Sequence, residues 1–132
     1  MSAIKRTPAD AAFSYLIRQR AGWKCERCGA QHDDKSCGLH CSHYYSRGNW
    51  AVRFDPDNAR SLCYGCHAYL GGRPAEHTEW FISVVGQGVY DLLTERKNDQ
   101  YLGREYRKTK GKGPIAKHYR DQVGQDTIER WL

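Results

Sequence analysis

The residues with the most specific chemistry in this chain of 132 residues are two Cys-x-x-Cys pairs, Cys25/Cys28 and Cys63/Cys66. They are separated by residues 29–62. Two such knuckles supply four thiolates, enough to close a tetrahedral zinc site with no open position, so the zinc they imply is structural. Metal binding at such a site is coupled to folding. Between and beside the knuckles stand His43, Asn58 and His67. A neutral imidazole can take a proton from water near neutral pH, and a second can bind a divalent cation. Hydrolysis of a phosphodiester needs those two capacities together. His43 suits the first role and His67 the second, while the amide of Asn58 can tie a loop or orient His43. Arg47 and Arg53 are candidates for holding phosphates.

These side chains need a scaffold that brings distant segments together. Thr7-Pro8-Ala9-Asp10 has the chemistry of a helix start, with a cap at Thr7, proline in the first turn and an acid at the positive end of the dipole. Phe13, Leu16 and Ile17 follow at helical spacing, predicting a helix over about residues 8–20 that braces the zinc module. Gly29, after the second cysteine of the first knuckle, suits a tight turn. Residues 39–45 and 50–54 are rich in aromatic and β-favouring types and flank Ser46-Arg47-Gly48-Asn49, which predicts two short antiparallel strands. Asp55-Pro56-Asp57-Asn58 is a turn by composition. A short helix is expected over about 62–70, stopped by Gly71-Gly72. On that helix, neighbouring side chains diverge by about 100°, so Cys66 can face the zinc while His67 faces elsewhere.

After Pro74 one helix is expected through Trp80, Phe81 and Val84, and another through Val89, Tyr90, Leu92 and Leu93, with Gly86 and Gly88 between them. The chain then divides into a helical brace (1–22), a zinc-stabilised core (23–72), a helical extension (73–95) and a basic segment (96–132). The last is expected to be helical at its end, with Ile115, Val123, Ile128 and Trp131 available for packing.

The apolar fraction, 39%, is modest, so a structural metal would supplement a thin core. The net charge is +6, and residues 96–120 alone hold nine Lys and Arg against two acids. The excess charge therefore sits in one stretch, where Arg107, Lys108, Lys110 and Lys112 are interleaved with tyrosines. That favours a polyanionic partner, bound in a salt-sensitive way, beside the plainer reading of a solvated basic tail. No secretion signal or membrane span is legible, which makes the cytoplasm the expected compartment and metal ligation the better account of paired cysteines than disulfides. Cys37 and Cys41 read as ordinary thiols, although their Cys-x3-Cys spacing could replace one knuckle. His32, His77 and His118 read as ordinary histidines.

In this order, Cys-x2-Cys, His43, Asn58 and Cys-x2-Cys-His67 over residues 25–70 resemble the HNH (ββα-metal) endonuclease superfamily. The surrounding Cys41-Ser42-His43-Tyr44-Tyr45-Ser46-Arg47-Gly48 and Arg53-Phe54-Asp55-Pro56-Asp57-Asn58 are similar to NinG/Rap-type phage recombination proteins. The resemblance implies an α+β fold: a small zinc-bound ββα-metal core with flanking N- and C-terminal helices. It implies His43 as general base, Asn58 as the middle asparagine and His67 as a ligand of a catalytic cation (Mg2+, Mn2+, Ni2+ or Zn2+). Duplex or branched DNA is the implied partner, and the host cytoplasm the site of action if the chain is phage-encoded. Cutting two strands of a junction would favour a homodimer. Ser42 stands where many members carry Asp or His as a cation ligand, and Gly71 where a second His is common. His40 shares the strand face of Ser42 and is the alternative ligand. The expected function is DNA endonuclease; the alternative is a non-catalytic, zinc-stabilised DNA-binding or adaptor protein on a degenerate scaffold of the same type.

Overall fold

A computed structural model describes residues 5–131. The first helix, α1 (Pro8–Arg20), begins where its cap chemistry places it. Thr7 Oγ1 accepts the Asp10 N–H, and Asp10 accepts the Thr7 N–H, a reciprocal capping box. Ala9, Phe13, Leu16 and Ile17 make its buried stripe.

Two strands follow, β1 (Leu39–His43) and β2 (Ala59–Cys63), antiparallel with His43 opposite Ala59 and Leu39 opposite Cys63. The second strand is not the expected 50–54. In that run Ala51, Val52, Arg53 and Phe54 are all buried, which leaves no solvent face for an alternating strand. Their backbone closes local turns instead: the N–H groups of Val52, Arg53 and Asp55 donate to carbonyls three residues back. The carbonyls of Val52 and Arg53 accept from side chains, those of Asn58 and His43. The run is thus the packed centre of the β1–β2 connection, which ends in a single 3-10 turn, Pro56–Asn58.

Helix α2 (Tyr64–Gly71) starts directly after β2, because Cys63 is its N-cap and accepts the Cys66 N–H on Sγ. The α+β expectation therefore stands as a two-stranded sheet with a short helix on its end. The first knuckle docks on the outer edge of β2. There the Glu26 N–H donates to the Ser61 carbonyl at 2.8 Å and the Ser61 N–H to the Glu26 carboxylate at 2.6 Å.

Helices α3 (Pro74–Val85) and α4 (Gln87–Lys97) form a hairpin in which Gly86 alone, at φ 89°, makes the break. Gly88 lies inside α4. This hairpin carries a core of Phe81 and Leu93 with Val52, on which Tyr44 stacks flat against Phe81. Arg96 of α4 holds Asp55 and Asp57 at 2.7 and 2.9 Å, fixing the turn before β2.

The basic segment is helical over more than its end. Helix α5 (Gln100–Thr109) follows α4 and sets Tyr106 on the core, and α6 (Pro114–Trp131) folds back over α1. Tyr119 meets Phe13 edge-on at 5.2 Å and donates its hydroxyl to the Phe54 carbonyl. Ile115 and Val123 pack on the same core, while the side chains of Ile128 and Trp131 lie outside the described residues. No helix among the described residues is long and apolar enough to cross a membrane.

Candidate functional site

The four knuckle cysteines converge. Their Sγ atoms all lie within 4.8 Å of one another, with Cys28 and Cys63, one from each knuckle, 3.8 Å apart. Thiolates about 2.3 Å from a tetrahedral zinc stand about 3.8 Å from each other, so the cluster fits such an ion. In both knuckles the N–H of the second cysteine points at the sulfur of the first, Cys28 to Cys25 and Cys66 to Cys63. Gly29, at φ 79°, supplies the left-handed turn that closes the first. Arg27 donates to Cys66 Sγ at 3.4 Å, placing a cation beside sulfurs that carry negative charge when ligated.

Helix α2 has a second face. His67, one residue past Cys66, turns toward β1, where its Nδ1 lies 3.0 Å from Nδ1 of His40. Two nitrogens bound at about 2.1 Å and a right angle to one ion would also be about 3.0 Å apart. The separation therefore suits one shared proton or one shared cation. Burial, and after it the proximity of His40, hold His67 below its ordinary pKa, which favours the neutral, ligating form. Ser42 is 3% exposed and does not line the cleft described next. Of the two alternatives at that position, His40 is the one brought to His67. His77 packs edge-on against Tyr44, and its pKa too is lowered, by burial and then by the charge of His67.

His40, His43 and His67 line one cleft of about 440 Å3 along the outer edge of β1. His43 donates from Nε2 to the Arg53 carbonyl at 2.9 Å. A carbonyl only accepts, so the proton is on Nε2 and the free lone pair on Nδ1. Burial holds this imidazole below its ordinary pKa, against the opposing pull of the Arg53 carbonyl. His43 is thus a neutral base with a defined tautomer.

Asn58 does not reach the cleft. It is 0% exposed, its Oδ1 accepts the Tyr45 N–H, and its Nδ2 donates to the carbonyls of Tyr45 and Val52. It ties the two ends of the β1–β2 connection together and pins Val52, the residue before the Arg53 carbonyl that orients His43. Arg53 is also turned inward. It is 2% exposed, and its guanidinium grips both oxygens of Asp10 at 3.0 and 2.6 Å. The expected phosphate contact at Arg53 gives way to a buried ion pair, because Asp10 of the capping box is also buried and needs a counter-charge. Burial would raise the Asp10 carboxyl, but Arg53 and Thr7 together hold it below the usual range.

The cations that do line the cleft are Arg47, Arg6 and Arg18. Sequence reading singled out only the first. Asp10, Ser14 and Arg18, four residues apart, form a stripe on α1 beside its apolar one, and that periodicity was the available signal. The helix is a wall of the cleft as well as a brace. Cys41 lines the cleft too, and burial pushes its thiol up to about 12, which disfavours the thiolate. Arg107, Lys110 and Lys112 line a neighbouring groove, while Lys108 pairs with Glu105 at 2.9 Å. No protein-family model, no curated protein and no solved structure matches the chain.

Proposed function

We propose that the chain is a divalent-metal-dependent DNA endonuclease of the HNH type, hydrolysing phosphodiester bonds of duplex or branched DNA, with phage recombination or branched-DNA processing as its setting. The observation that carries this reading is His43. Its Nε2–H is committed to a backbone carbonyl, its Nδ1 is unprotonated, and it shares one cleft with the His40–His67 pair and three arginines. His43 accepts a proton from the attacking water at Nδ1. Arg6, Arg18 and Arg47 hold the phosphate, and guanidinium groups keep their charge at every working pH. Asn58 and Arg53 position the base without touching substrate. His40 and His67 would hold the divalent cation, which when bound offsets charge on the phosphate and the leaving oxygen. Structural zinc at Cys25, Cys28, Cys63 and Cys66 keeps α2, and with it His67, in register with β1.

One observation favours a second reading, a zinc-stabilised DNA-binding or adaptor protein without activity. Among the described residues the cysteine cluster is the one group of three or more side chains of metal-ligating type, and the cation position has two nitrogens. The readings part at His43. Linear, nicked and four-way DNA are incubated with the protein and its His43→Ala variant over Mg2+, Mn2+, Ni2+ and Zn2+. The nuclease reading expects cleavage that falls by roughly 10²–10⁴-fold in the variant. Equal cleavage by both proteins, or none by either with DNA binding intact, overturns it.

A further inference from the structure

A second groove, of about 530 Å3, lies between the N-terminal end of α1 and the turn joining α5 to α6. Lys5, Arg6, Arg107, Lys110 and Lys112 line it, and no acidic side chain does. These cations come from two segments far apart in the sequence, and a specific hydrogen bond holds the segments together. The Ala9 N–H donates to the Gly111 carbonyl at 3.0 Å. Gly111 has φ 69°, and a Cβ there would stand 2.0 Å from Thr7 Oγ1. Lys110 and Lys112 flank this glycine, so their backbone is seated on the α1 cap instead of on a free loop.

The other wall is aromatic. Trp50 lines the groove, half-buried, with the Arg53 guanidinium 4.2 Å from its ring centroid. Arg53, itself locked by Asp10, lines the same groove, so the indole and a fixed guanidinium share this wall. A site for a simple anion has no use for an indole, and an apolar peptide would leave five cations without counter-charge. Cations on one side and an indole with its guanidinium on the other suit a nucleotide, with phosphate on the first and base against the second. The volume is in the range of small-ligand sites. In a duplex both faces of a base are covered by its neighbours, so an indole can reach only an unpaired one. Arg6 lines both this groove and the histidine cleft, making one continuous basic path.

We propose that the groove binds an unpaired nucleotide of single-stranded DNA, its base against Trp50 and its phosphates on Arg107, Lys110 and Lys112. The inference rests on the nuclease reading for the choice of DNA as the polymer, and it gives the site a preference for substrates with a single-stranded portion next to the cut. The test uses the zinc-loaded chain with no divalent cation added, so that binding is read without cleavage whatever the role of His43. Its affinities for a labelled oligothymidylate and for a duplex of equal length are compared with those of variants on the same background. Trp50→Leu is expected to weaken single-strand binding roughly five- to 100-fold and duplex binding by less than about twofold, while Trp50→Phe keeps most of the affinity. Lys110→Gln with Lys112→Gln, both exposed, should reduce the salt slope for the single strand by about 0.7 for each phosphate left without its cation. An oligonucleotide carrying 5-iodouracil should photocross-link to the peptide holding Trp50; this readout needs no variant to fold. Cross-linking confined to other peptides overturns the proposal, as does a zinc-loaded Trp50→Leu protein that binds both DNAs unchanged. Equal weakening on duplex and single strand would make the groove a phosphate track and overturn it too. None of these outcomes depends on whether His43 is needed for cutting, so the nuclease reading stands or falls separately.

Discussion

The cysteine cluster and the histidine cleft share α2 yet are built by opposite rules. At the cluster, four sulfurs from two knuckles face one point, Cys25 and Cys66 are buried, and backbone N–H groups turn inward to the sulfurs. At the cleft, two imidazoles meet on an open wall and arginines from α1 and the β1–β2 connection surround them. Closed coordination with every position filled by the protein suits a permanent ion; an open one leaves room for water and substrate. The dependence between them runs one way. Cys63 caps α2 and Cys66 anchors it, so His67 is placed by the cluster, whereas nothing in the cluster is placed by His67.

The largest expected effect breaks the first region. Structural zinc contributes about 10–16 kcal/mol of apparent binding free energy, which in a small metallo-domain is folding free energy. Cys25→Ser, or treatment with a strong chelator, is expected to abolish the cooperative thermal transition and the zinc content, which should be near one ion per chain by elemental analysis. A metal-free protein with an unchanged melting curve would remove the cluster from the account of stability.

Next in size is the ion pair behind the cleft. Asp10→Asn leaves the Arg53 guanidinium buried without its counter-charge, and breaking such a pair typically costs about 3–5 kcal/mol. Chemical denaturation of the zinc-loaded variant measures it. The pH dependence has a defined sign. The folded-state pKa of Asp10 is depressed, so its contribution is present above the unfolded carboxyl value near 3.9 and is lost as pH falls through the folded value. The variant should show a weaker fall in stability over that acidic window than the parent.

His43 separates the two regions further, since it belongs to the cleft alone. Its pKa is lowered, chiefly by burial, and in the proposed mechanism it acts as a base only when unprotonated. The acidic limb of the cleavage rate should therefore lie below the ordinary histidine value of about 6.5. A limb at or above that value would contradict a buried, carbonyl-tethered base.

Some of this was legible in residue types, where local chemistry decides structure. Thr7-Pro8-Ala9-Asp10 starts α1 as its capping chemistry predicts, the two knuckles come together, and Cys66 and His67 take different faces of α2. The second strand was not legible, because Trp50-Ala51-Val52-Arg53-Phe54 has strand-like composition while Ala59-Arg60-Ser61-Leu62-Cys63 has no β-branched residue. Tertiary burial on all sides overrode propensity, and edge pairing with Leu39–His43 made a strand of the plainer segment. Arg53 was misread for a related reason. Asp10 was assigned fully to the helix cap, and nothing local announces that the same carboxylate is buried and needs a guanidinium from 43 residues away. Pairings of that range leave no periodic mark in the sequence.

The smallest effect also sharpens the comparison most, since it concerns which side chain would join His67 in holding the proposed cation. His40 lies 3.0 Å from His67, and Ser42 is buried away from the cleft. A neutral imidazole binds a divalent transition ion well, whereas a serine hydroxyl remains protonated at neutral pH and offers a weak donor. Titration of the zinc-loaded protein with Mn2+ or Ni2+ should therefore show affinity at the second site falling at least about tenfold in His40→Ala. Ser42→Ala should leave it within about twofold, since what that change removes is a buried hydroxyl. The cluster zinc should be unaffected in both, because no cysteine ligand is touched. The reverse ranking would mean that β1 presents Ser42 to the ion through water and that the His40–His67 approach is only a hydrogen bond. Equal, small effects in both would mean that His67 binds no cation there, and the proposed catalytic cation site would then fall, leaving the cysteine cluster alone as a metal site.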